Sequence, residues 1–133
     1  MAFTKDSTQA LQAFLKAEDI AARQKQVVSS LHLLLALLVV PTHAKILLEE
    51  RGITKERLRA VPLDAEPPRT VTRLRDHARE IAQGTGQSTA NCLHMLISIT
   101  RARESLAYRA LEQAGVVFSE LRTAALSHAF NRS

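Results

Sequence analysis

Leu31-His32-Leu33-Leu34-Leu35-Ala36-Leu37-Leu38, closed by Pro41, is the stretch that decides the fold. From Leu31 to Val40 only His32 breaks the apolar run, which is too short to cross a bilayer. A helix that is apolar nearly all round is a buried one, so this helix is predicted to be central. The string then returns. Leu31-His32-Leu33-Leu34 matches Leu93-His94-Met95-Leu96, an offset of 94 − 32 = 62. Gly52-Ile53 matches Gly115-Val116 and Leu58 matches Leu121, both at 63, while Ala17 and Ala21 match Ala78 and Ala82 at 61. The drift falls in the turns, where insertions are tolerated. A His, a Gly and a hydrophobic residue in one order at one spacing mark an internal repeat. Two copies facing each other across a pseudo-twofold axis would bury both apolar helices in one core.

Outward from the first copy, apolar and small residues from Phe3 to about Arg23 (Ala10, Leu11, Phe14, Leu15, Ala17, Ala21, Ala22) recur at helical spacing. Ser29 or Ser30 is suited to cap the central helix and Thr42 a third one running to Arg51. Gly52 supplies the left-handed residue that ends it, and Thr54 starts a short fourth helix. Pro62, Pro67 and Pro68 make a linker. The pattern restarts at Leu74, Ala78, Ile81 and Ala82, ends at Gly84 and turns through Gly84-Thr85-Gly86-Gln87. Ser88 or Thr89 is the expected cap of the second apolar helix, Ser105 starts the next, Gly115 ends it and Ser119 caps the last. The expected architecture is all-α, about eight helices in two pseudo-twofold-related four-helix repeats. It forms one domain over 1–133, with repeat one at 1–61, a linker at 62–69 and repeat two at 70–133.

The composition agrees. Gly and Pro number four each, aromatics are 4%, and 46% of residues are hydrophobic, too many for a disordered chain. Leu and Ala dominate, and both favour helix. The formal net charge of +5 is compatible with an acidic partner or nucleic acid. No basic run exceeds two residues, which favours an arginine-rich solvated surface. A single cysteine, Cys92, forbids an internal disulfide and fits a reducing compartment. The N-terminus lacks the charged-then-apolar order of a secretory signal, so a cytoplasmic protein without membrane contact is expected.

The residues from His32 to Leu38 with Pro41, Leu47-Leu48 and Gly52-Ile53 resemble the Clp repeat. The opening Phe3-Thr4 and the second copy agree with it, through Leu93-His94-Met95-Leu96, Ala107-Tyr108, Leu111, Gly115-Val116 and Leu121-Arg122. The chain over its whole length is thus similar to the amino-terminal domain of the Clp ATPases, the AAA+ unfoldases of the ClpA, ClpB and ClpC type. The resemblance implies a non-enzymatic module that captures adaptor proteins and unfolded or tagged substrates for a Clp ATPase ring, in cis or in trans, without a cofactor. A stand-alone accessory or regulatory relative is the first alternative, and a small basic nucleic-acid-binding helical protein is the second. No Gly-x4-Gly-Lys-Ser/Thr loop is present: Gly84 and Gly86 are followed by Gln87. From the family pattern, Phe3, Thr4, Leu31, Thr70 and Leu93 are the candidate partner-binding residues. Many ClpC-type domains carry Glu before the repeat His, and in some it helps bind phosphorylated arginine. Here Leu31 and Leu93 stand at that position, and Leu cannot pair with a guanidinium. Weak or absent phosphoarginine binding at apolar sites is therefore expected.

Other constellations are weaker. His32 and His94 lack two further zinc ligands, with Cys92 the one plausible addition, so each His is expected to bond a loop at its own helix start. Cys92 and His94 are two apart on a helix and point in different directions, which disfavours a thiol nucleophile. Arg69, Arg73, Arg75 and Arg79 could form a phosphate stripe, but Asp76 and Glu80 are placed to pair with them and no aromatic platform accompanies the charge. Phe118, like Phe3, belongs either to a groove or to the core.

Overall fold

A computed structural model describes residues 5–59 and 66–130. Eight helices lie among the described residues: α1 (Thr8–Arg23), α2 (Ser30–Val39), α3 (His43–Glu50), α4 (Lys55–Arg59), α5 (Thr70–Gly84), α6 (Cys92–Ile99), α7 (Leu106–Gln113) and α8 (Phe118–Phe130). Two short strands, β1 (Lys5–Asp6) and β2 (Thr89–Ala90), pair in parallel, Lys5 with Thr89 and Asp6 with Ala90.

The packing obeys an exchange of halves. Helix α1 lies on α2 as α5 lies on α6, and α2 touches α4 as α6 touches α8. Across the halves, α2 meets α7 and α5, while α6 meets α3 and α1. Swapping one repeat for the other turns each of these contacts into another of them, as a pseudo-twofold requires, whereas α2 against α3 and α3 against α8 have no comparable counterpart. The two apolar helices sit at the centre: Leu33, Leu34 and Leu37 in α2, and Leu96, Ile97 and Ile99 in α6, are fully buried. Small residues at Ala10, Ala13, Ala17 and Ala21 let α1 approach closely.

Helix ends follow local chemistry. Gly52 and Gly115 adopt φ of +73° and +83°, and the next residue's N–H reaches back to Leu48 and Leu111 respectively. These are left-handed endings in which the chain satisfies its own last carbonyls. Two further ends share that pattern, one with glycine and one without. Gly86 at φ +76° sends the Gln87 N–H to Ala82, whereas Lys25 at φ +57° sends the Gln26 N–H to Ala21.

Four expectations change. The first helix begins at Thr8, because Lys5–Asp6 is drawn into the strand pair and Ser7 caps the helix by accepting from the Ala10 N–H. Neither Ser88 nor Thr89 caps α6. Thr89 belongs to β2, and Asn91 is the cap. The turn after α5 takes its left-handed residue at Gly86, while Gly84 is the last helical residue. Ser119 lies inside α8, which starts at Phe118. The linker's Pro62 falls outside the described residues.

Candidate functional site

The repeated His has one job in both halves. The Ser29 N–H donates to Nδ1 of His32 at 2.9 Å, and the Asn91 N–H donates to Nδ1 of His94 at 3.0 Å. Each imidazole thus reaches back over its own helix start, in the place usually taken by Glu or Gln of a capping box. Accepting at Nδ1 fixes the proton on Nε2. In His32 that Nε2–H faces Oε1 of Gln24 and Gln26, at 3.1 and 3.0 Å. In His94 it is buried with no partner among the described residues. Burial lowers the pKa of both rings, and the Glu66 charge opposes this at His32. No group of three or more His, Cys, Asp and Glu placed to hold a metal occurs among the described residues.

Beside each capped helix start lies a cleft. The first, of about 660 Å³, runs between α2, α5 and α7 and is lined by Ser29, His32, Glu66, Thr70 and Leu106, among others. Its distinctive occupant is Glu66. One carboxylate oxygen accepts from the Ser30 N–H at 2.7 Å, and the other accepts from Ser30 Oγ at 2.6 Å and the Leu106 N–H at 2.9 Å. Ser30 Oγ in turn accepts from the Ala107 N–H at 2.9 Å. First-turn N–H groups have no acceptor within their own helix, and the helix dipole favours negative charge there. Glu66 satisfies the starts of α2 and α7 together, one from each half of the molecule.

The second cleft, of about 440 Å³, is lined by Gln9, Thr42, His43, Lys45, Cys92 and Leu93, among others, and runs between α1, α3 and α6. Cys92 is buried, and burial pushes its thiol up to about 11, with the Thr42 hydroxyl pulling weakly the other way. A thiol held so far above neutral pH is no nucleophile.

The candidate residues fall as follows. Thr70 lines the first cleft and is 7% exposed, its hydroxyl donating to the Pro67 carbonyl at 2.6 Å. Leu93 lines the second cleft but is 2% exposed, and Leu31, 3% exposed, lines neither. Both leucines therefore pack in the core. Phe3 and Thr4 lie outside the described residues. Phe118 is half-buried and stacks on Tyr108 with ring centroids 4.1 Å apart.

The arginine stripe is partly consumed. Arg75 and Arg79 both pair with Asp6, at 2.8 and 3.1 Å, and Arg79 also meets Asp76 at 3.2 Å. Arg75 lies over the Phe14 ring at 4.0 Å. Asp6, whose side chain is almost wholly buried, was not foreseen as the partner because it is remote in sequence. Glu66 was missed for the same reason: as one acid in a proline-rich linker, it carries no spacing signal.

The eight helices, their exchange symmetry and the two apolar centres define the Clp amino-terminal domain fold. Among solved structures, the chain is similar to the N-terminal domain of the caseinolytic protease associated chaperone ClpD from Arabidopsis thaliana. The TM-score is 0.73 at 20% identity, with 96% of each chain covered. Compared by sequence, the chain matches no family model and no curated protein. No single helix among the described residues is long and apolar enough to cross a membrane.

Proposed function

We propose that this domain is the adaptor- and substrate-binding module of a Clp-type AAA+ unfoldase, acting in the cytoplasm in cis or in trans and doing no chemistry itself. The observation that carries this is the fold likeness to a Clp chaperone N-domain across 96% of both chains. The local chemistry supports it. The His rings cap helices, the thiol is held protonated, and each cleft is a notch at helix starts suited to a protruding side chain. Phosphoarginine binding is expected to be weak, since Leu31 and Leu93 are buried apolar residues where an acid would be needed. Arg75 and Arg79 are turned toward Asp6, which weakens the case for nucleic acid.

The test is competition. The purified chain is added in excess to a Clp ATPase degrading a tagged substrate delivered by an adaptor. Dose-dependent slowing is expected, with ATP hydrolysis by the ring retained. No slowing with any adaptor tried, or recovery of only nucleic acid in a pull-down, overturns the proposal.

A further inference from the structure

One helix contact between the halves escapes the exchange of repeats. Helix α3 packs on α8, whereas their counterparts α7 and α4 make no comparable contact. Two imidazoles meet there. His43 is the first residue of α3, and His128 lies in the last turn of α8. Both are exposed, their ring centres are 5.3 Å apart, and their planes are tilted by 33°. Under the repeat His43 answers to Leu106 (106 − 63 = 43), a buried apolar residue. The His pair therefore belongs to this contact and not to the repeated pattern.

Among the described residues neither ring makes a hydrogen bond or an ion pair, so the lone pairs of both are free. This sets them apart from His32 and His94, whose Nδ1 atoms are used in the caps of α2 and α6. Two imidazoles that share one tetrahedral zinc ion, with N–Zn bonds of about 2.05 Å about 109° apart, have ring centres about 5 Å from each other. The observed 5.3 Å matches that separation. Both side chains lie at the surface, so the rings can turn their nitrogens toward one ion without moving the core. The helix ends supply little, since the α8 C-terminus favours a cation and the α3 N-terminus opposes it. Affinity has to come from the ring nitrogens.

We propose that His43 and His128 form a two-imidazole site for a divalent transition-metal ion of the zinc class, which clips α3 of one repeat to α8 of the other. A structural zinc needs four protein ligands. Here two are present, water completes the shell, and the ion is exchangeable. The site is separate from the binding-module reading and stands or falls without it.

The test titrates zinc chloride into the untagged full chain at slightly alkaline pH, where imidazole is free to bind metal. By NMR the ring C–H signals of His43 and His128 should move together, and those of half-buried His77 should stay. His43→Ala and His128→Ala should each weaken binding roughly tenfold or more, and the double variant little further, because one remaining imidazole cannot chelate. Zinc should raise the thermal midpoint of the wild type and leave both single variants nearly unmoved, since an ion held only by the folded state stabilises it. Magnesium, which prefers oxygen ligands, should do neither. Both positions are exposed, so the variants keep the core. Absence of zinc binding, movement of one ring alone, or equal affinity in the wild type and the single variants overturns the proposal.

Discussion

At the head of α2 a linker carboxylate gathers the N–H groups of Ser30 and Leu106, while at the head of α6 the matching groups of Cys92 and His43 border an open cleft. Both helices are capped alike by a His at their third position. The comparison separates two demands on a repeated sequence. The cap serves its own helix and recurs wherever that helix recurs. The occupant of the cleft comes from outside the repeated helices, so nothing in the repeat requires the two clefts to be filled alike.

The strongest way to break the comparison is Glu66→Ala. It leaves the Ser30 and Leu106 N–H groups without their acceptor and strips the acceptor from Ser30 Oγ. A loss of about 2 kcal/mol in urea unfolding is expected, given the usual cost of unsatisfied buried donors. Lys5→Ala, its positional counterpart, should cost almost nothing. Equal effects at the two positions would mean that Glu66 is only a surface acid.

A second expectation concerns pH. Burial lowers the pKa of both His32 and His94, so the unfolded chain binds protons that the folded chain refuses. The stability due to neutral rings is complete above the unfolded value of about 6.5 and is lost as pH falls from there toward the folded pKa values. The slope is at most about 1.4 kcal/mol per pH unit for each ring. Glu66→Ala sharpens the comparison, since it should lower the His32 pKa further and leave His94 unmoved in an NMR titration. A maximum of stability below pH 6 would contradict this.

The smallest effect expected is a gain. Lys25 holds the left-handed conformation that Gly86 holds in the other half. Lys25→Gly should stabilise the chain by up to about 1 kcal/mol, because a side chain is disfavoured at that φ. Gly86→Lys should cost a similar amount by thermal unfolding.

What the sequence revealed and what it hid divide along these lines. The apolar runs around His32 and His94 announce two central helices, because a pattern that is apolar all round admits no other place. Gly52 and Gly115 announce helix ends, because their φ excludes most other residues. The β1–β2 pairing of Lys5–Asp6 with Thr89–Ala90 is illegible, being two residues long and far apart in the chain. Asn91 was overlooked as a cap because Ser88 and Thr89 are equally good capping residues by type, and only the strand decides among them. The candidate leucines Leu31 and Leu93 lie in the first turns of α2 and α6, and their side chains turn inward. The group that does reach the first cleft, Glu66, has no periodicity by which to find it.

Glu66 bonds to Ser30 and Leu106, 36 and 40 residues away, and so ties the linker to both repeats at once. In a dimer of identical single-repeat chains, every notch would be spelled by the same codons, and plugging one would plug both. Joining the two copies in one chain removes that constraint. Each notch is then encoded once, so one can become part of the scaffold while its twin is left free to change.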